Sequence, residues 1–90
     1  MAVVSRPAAA HVMPRFFFDV HHGSRERYLD RIGEDLPDCA SAWRMATTYV
    51  GETIRDLNGE LKLGDEWWLD VNDEWGRPLY RISVTARRLT

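Results

Sequence analysis

From Arg15 to His21 the chain alternates: Phe16, Phe18 and Val20 fall on one parity and Phe17, Asp19 and His21 on the other. A period of two in a run rich in aromatic and branched residues predicts a strand with one buried face. His22-Gly23-Ser24 is turn chemistry, because Gly23 is free to take positive φ, and Arg27 to Ile32 is expected to return as a shorter second strand. Gly33 to Pro37 ends that hairpin, and Asp38 is placed to cap a helix by accepting the free amides of its first turn. Between Cys39 and Leu57 the apolar positions Cys39, Ala42, Trp43, Ala46, Val50, Ile54 and Leu57 recur at helical spacing and form one stripe, which puts Trp43 in the core. Asn58-Gly59 supplies a helix stop and Leu61 to Asp65 a connector. Period two returns over Glu66 to Asn72, with Trp67, Leu69 and Val71 opposite Trp68, Asp70 and Asn72. Asp73-Glu74-Trp75-Gly76 reads as a hairpin turn into a last strand, Arg77 to Thr85, in which Tyr80, Ile82 and Val84 align.

The order ββαββ predicts an α+β fold, a four-stranded antiparallel sheet with one helix packed on one face. Residues 13–86 form the expected domain, residues 1–12 an N-terminal extension without periodicity that is expected to be flexible, and residues 87–90 a short polar tail. A chain of 90 residues buries roughly 60% of its unfolded surface, so one modest core is all it can hold.

Charge changes this picture more than composition does. Residues 1–33 carry five Arg against three acids, residues 34–76 three bases against eleven acids, and residues 77–90 four Arg with no acid. Such asymmetry marks either an electrostatic docking surface or basic ends that pair with the acidic middle. The lone Cys39 forms no internal disulfide, and the sequence holds no CxxC pair. No apolar run reaches the roughly 18 to 20 residues needed to cross a bilayer, and a cytoplasmic location is expected.

One helix covers one face of a sheet. The opposite face carries Phe17, Asp19, His21, Trp68, Asp70, Leu79, Arg81 and Ser83. If their strands are neighbours, Phe17, Trp68 and Leu79 make an exposed apolar patch of the kind that marks a partner surface. The candidate interface is therefore Phe17, Trp68, Leu79, Arg81 and the turn residue Trp75, with a homodimer as the leading expectation, another protein as the next, and Arg81 placed to reach Asp19 or Asp70 across a two-fold axis.

Three segments, Met13-Pro14-Arg15-Phe16-Phe17-Phe18-Asp19-Val20, Leu36-Pro37-Asp38, and Leu69-Asp70-Val71-Asn72-Asp73-Glu74-Trp75-Gly76-Arg77-Pro78-Leu79, occur in this order. Together they resemble a family of short bacterial proteins, a domain-of-unknown-function family numbered six-eight-nine-four. The resemblance spans residues 13 to about 84 and implies no catalytic residue. Trp75 departs from the small or acidic residue usual in that turn.

Other chemistry is thinner. His21-His22 with Asp19, Glu26 and Asp35 nearby raises a metal site or an enzyme as a third reading, yet adjacent strand residues point to opposite faces and cannot easily share one ion. Asp70, Asp73 and Glu74 form a carboxylate cluster in a hairpin that needs polar turn residues anyway. No phosphate loop or nucleophile elbow occurs, so no enzyme and no cofactor is expected. Nucleic acid is the alternative partner, with Phe17 and Trp68 stacking bases and Arg15, Arg81 and Arg87 meeting phosphates, although a pI near 5.9 disfavours a polyanion.

Overall fold

The structure, a computed structural model, describes residues 13–23, 26–57 and 64–90. Among these residues five strands and one helix follow in the order β1 (Arg15–His22), β2 (Glu26–Tyr28), β3 (Glu34–Asp35), α1 (Cys39–Leu57), β4 (Glu66–Asn72) and β5 (Pro78–Thr85). All strand pairs are antiparallel, in the order β2-β1-β4-β5, and β3 also pairs with β1. This is the α+β arrangement that the alternation predicts, a helix packed on one face of a mostly antiparallel sheet. The expectations for residues 1–12, for the stop at Asn58-Gly59 and for the start of the following connector lie outside the described residues.

The second strand departs from expectation: it ends at Tyr28, and pairing with β1 resumes only at Glu34, where Arg15 faces Asp35 and Phe16 faces Glu34. Asp30 fills the gap. Its Oδ2 accepts the Phe18 N–H at 3.2 Å, and its Oδ1 accepts the Ile32 and Gly33 N–H groups at 3.0 Å each. A side chain that can satisfy the backbone locally competes with the ladder, and here it replaces it. Gly33 completes the loop at φ +78°, and a Cβ there would lie 2.8 Å from Arg15 Cγ and 2.9 Å from Phe17 Cε2. Both the dihedral and the space require glycine.

Asp38 caps α1 as expected, its Oδ1 accepting the Ser41 N–H at 2.8 Å. That bond comes first among the causes holding the Asp38 carboxyl below its ordinary value. The helix packs over β4 and β5, and its fully buried side chains are Ala42 and Ala46. They meet a sheet floor of Phe16, Phe18, Trp67, Leu69 and Val71. Trp43 is a correction to the stripe: it is 43% exposed and lies against Tyr80 at the rim, with ring centroids 5.2 Å apart. Cys39 is exposed as well, and Met45 and Val50 pack against the core in part. The helix is thus rolled so that small residues, rather than large ones, face the sheet.

Because α1 sits over β4 and β5, the inner side of β1 is incompletely covered. A cleft of about 300 Å³ opens between Tyr49 and Thr53 of the helix and the Ile32–Gly33 loop, floored by Phe18 and Val20.

Candidate functional site

Register decides which outward residues meet. Across β1 and β4, Phe17 faces Asn72, Asp19 faces Asp70, and His21 faces Trp68; across β4 and β5, Trp68 faces Ser83 and Asp70 faces Arg81. Phe17 and Trp68 are therefore two rows apart, with the charged row Asp19–Asp70–Arg81 between them. Leu79 is the unpaired residue of a bulge opposite Val71 and Asn72, 36% exposed. The apolar patch of Phe17, Trp68 and Leu79 is thus interrupted, because strand parity fixes the face of a side chain and leaves its row to the register.

The centre of the open face is a layered cluster. His21 stacks on Trp68 with centroids 4.8 Å apart and planes within 8° of parallel. The Arg81 guanidinium carbon lies 5.3 Å from the centroid of the same indole. Asp70 grips that guanidinium with two bonds, Arg81 Nε to Oδ1 at 2.6 Å and Nη2 to Oδ2 at 2.9 Å, and these push the Arg81 pKa up. Asp70 Oδ2 also lies 3.9 Å from His21 Nε2. Within this chain Arg81 is bonded to its own Asp70. The Trp68 indole N–H finds no acceptor among the described residues.

The two histidines separate as adjacent strand residues must. His21 belongs to the open face, whereas His22 lies on the other side, with Nδ1 3.6 Å from Glu26 Oε1 and Nε2 3.7 Å from Asp65 Oδ2. Those carboxylates flank opposite nitrogens, so the three groups do not converge on one point. Among the described residues no group of three His, Cys, Asp or Glu side chains is disposed to hold a metal ion.

The carboxylates at the far end of the sheet have a structural use that the sequence analysis missed. Asp73, the one buried charged residue among those described, accepts the Trp75 N–H at 2.9 Å, the Arg77 N–H at 2.8 Å and Arg77 Nε at 2.8 Å. Burial pushes its carboxyl up, but the bonds from Arg77 and Trp75 outweigh burial and leave it below the ordinary value. Asp30 follows the same logic: burial raises it, and the Gly33, Ile32 and Phe18 amides with the nearby Arg15 charge bring it lower. The two loops share one design, Asp30-x-x-Gly33 and Asp73-x-x-Gly76, each with an Asp bonding its own backbone and a glycine at φ +78° or +82°. Asp19 ties them together, its Oδ1 accepting the Asp30 N–H at 2.8 Å and its Oδ2 an Asn72 Nδ2 hydrogen at 3.0 Å. Arg15 locks the other side: its guanidinium pairs with Asp35 at 3.1 Å and donates to the Ile32 carbonyl, while its N–H donates to Glu74. The shallow cleft of about 310 Å³ beside Asp19, Asp30 and Asp73 is lined by carboxylates already engaged in this way.

Trp75 stands apart on the hairpin tip, 72% exposed, with the Arg77 guanidinium carbon 5.6 Å from its centroid.

Geometry of this kind defines a small α+β module whose motif residues brace its own loops and whose outer sheet face presents an aromatic–Arg cluster. The chain belongs to the family described as Domain of unknown function (DUF6894), whose model matches residues 15–85. No curated protein and no solved structure matches it. No helix among the described residues is long and apolar enough to cross a membrane.

Proposed function

We propose that the protein is a small interaction module that associates with a second copy of itself through the open sheet face. The observation that carries this reading is the Trp68 ring, fixed between His21 and Arg81 on a face with no covering layer among the described residues. A rigid aromatic flanked by Arg gains contact area with little loss of conformational entropy, which is why such residues dominate small interfaces. Trp75 and Leu79 add exposed apolar surface at the hairpin end of the molecule. A two-fold arrangement would set the same cluster on both subunits, with Trp68 as the contact and the Arg81–Asp70 pair as its polar surround.

The nucleic-acid alternative draws less support, since Arg81 and Arg15 are each paired with a carboxylate and the row of Asp19 and Asp70 divides the aromatics. Light scattering over a hundredfold concentration range tests the proposal. The wild type should pass from monomer to dimer, and Trp68→Glu should stay monomeric with unchanged circular dichroism. A wild type that remains monomeric at the highest concentration removes the homodimer, and a dimeric Trp68→Glu moves the contact elsewhere.

A further inference from the structure

We infer that the free edge of β5 is a docking site for an extended acidic segment of another protein, which adds to the sheet as a further strand. This goes beyond the open-face reading and involves a different surface. The Gly23 N–H donates to the Glu66 carbonyl at 2.7 Å, which makes Glu66 a bonded position of the β1–β4 ladder. Residues of one strand direct their backbone groups alternately to its two sides, so Glu66, Trp68, Asp70 and Asn72 bond toward β1, and Trp67, Leu69 and Val71 toward β5. Their partners there are Val84, Ile82 and Tyr80. The backbone groups of Arg81, Ser83 and Thr85 consequently point outward, and β5 is the last strand of the sheet among the described residues.

Eight residues of edge with three outward N–H and three outward C=O groups form a template for strand addition. The side chains beside that edge specify what it takes. On the helix side, Tyr80, Ile82 and Val84 remain only partly buried and Trp43 stands 43% exposed against Tyr80, a shelf for apolar side chains on alternate positions of an incoming strand. The charge is one-sided: residues 77–90 hold Arg77, Arg81, Arg87 and Arg88 and no acid. Arg81 is matched by Asp70 and Arg77 by Asp73, whereas Arg87 and Arg88 form no ion pair among the described residues.

The chain's own strands do not fit as occupants. A second copy of residues 77–90 would bring its Arg87 and Arg88, with no acid in the same segment, against the same two cations. The opposite edge of the sheet is acidic but broken into Glu26–Tyr28 and Glu34–Asp35, too short to match eight residues. Residues 1–12 contain Arg6 and Pro7 and no acid. An acidic segment of alternating pattern from a different protein fits both the shelf and the charge.

The test uses the whole protein and a synthetic peptide of alternating Glu and Val, with a Lys-Val peptide and a scrambled Glu/Val peptide as controls, followed by amide hydrogen exchange. Binding of the Glu-Val peptide should protect the amides of Arg81, Ser83 and Thr85, while those of Ile82 and Val84 are protected beforehand. Ser83→Pro removes an outward donor without touching the β4–β5 ladder, so it should fold normally and weaken binding at least about tenfold. Arg87→Glu with Arg88→Glu should weaken it several-fold and reduce its salt dependence. Absence of saturable binding at millimolar peptide, equal binding of the Lys-Val or scrambled peptide, or binding without protection of those three amides overturns the inference. So does concentration-dependent protection of the same amides without peptide, which would assign the edge to a second copy. Trp68→Glu should leave peptide binding intact, so the outcome is separable from that for the open face.

Discussion

Asp30→Asn is the most informative single substitution, because it changes one atom in the group that replaces the ladder between β2 and β3. In the native loop the carboxylate accepts three backbone donors: Ile32 and Gly33 on Oδ1, and Phe18 on Oδ2. Asparagine keeps one acceptor oxygen, which can still serve Ile32 and Gly33, but its amide then turns two hydrogens toward the Phe18 N–H. Phe18 lies in the core, 7% exposed, so its orphaned amide cannot turn to water. A buried donor left unpaired costs about 1–3 kcal/mol, and the two remaining bonds weaken on losing the charge, so the expected loss is about 2–4 kcal/mol. Against the roughly 5–13 kcal/mol expected of 90 residues, that is a large fraction. Urea unfolding followed by tryptophan fluorescence should show the midpoint falling with an unchanged slope, and hydrogen exchange should show faster opening at Phe18. A loss below about 0.5 kcal/mol, with the Phe18 amide still protected, would show that the carboxylate is a bystander and that the loop is held by other contacts.

Trp67→Ala should cost about 3–5 kcal/mol, because the ring is fully buried. Trp43→Ala should cost no more than about 1–2 kcal/mol, because its ring is lost only from a rim contact with Tyr80, and denaturant titration of the pair checks the order. Gly33→Ala should cost at least about 2 kcal/mol, combining a left-handed φ with contacts under 3 Å, and the thermal midpoint reads it. Asp30, Asp38 and Asp73 all sit below the ordinary 3.8 in the folded chain, so each contributes stability that is fully present above that pH and is lost as the pH falls through and below it. Urea midpoints should therefore drop as the pH falls below about 4, and the drop should be smaller in Asp73→Asn, a comparison that titration at five pH values settles.

Strand parity was legible, because the Phe16-Phe18-Val20 and Trp67-Leu69-Val71 rows each hold one chemistry. The Asp38 cap was legible for the same reason, that the residue type and the local need coincide. The break after Tyr28 was not, since Arg27 to Ile32 alternate acceptably and only the contest between the Asp30 carboxylate and the ladder ends the strand. The roll of the helix was hidden as well: apolar residues occur on several of its faces, and the choice fell to Ala42 and Ala46 because a helix approaches a sheet most closely through small side chains. The open face was legible as a set of residues and illegible as a surface, since the bulge at Leu79 and the pairing of Phe17 with Asn72 are fixed by register. Asp30-x-x-Gly33 and Asp73-x-x-Gly76 were present in the sequence as a repeated loop signature, and this is the signal by which Asp30 could have been found.

The pairing of β1 with β4 also sets when this chain can fold during synthesis. β1 leaves the ribosome first, yet one of its long-range partners is the segment from Trp67 to Asn72, and Asn72 donates to Asp19 across 53 positions. Until that segment emerges, Phe16 and Phe18 have neither a neighbouring strand beyond the short β2 and β3 nor the Trp67 and Leu69 floor beside them. At about 5–20 residues per second, the nascent chain spends several seconds with Phe16 and Phe18 lacking the β4 side of their sheet. The helix can form early by local contacts, whereas the sheet must wait for the second half of the chain. Ribosome-bound chains ending before Asn72 has cleared the exit tunnel should accordingly be protease-sensitive at β1, with resistance appearing in a single step once β5 is exposed.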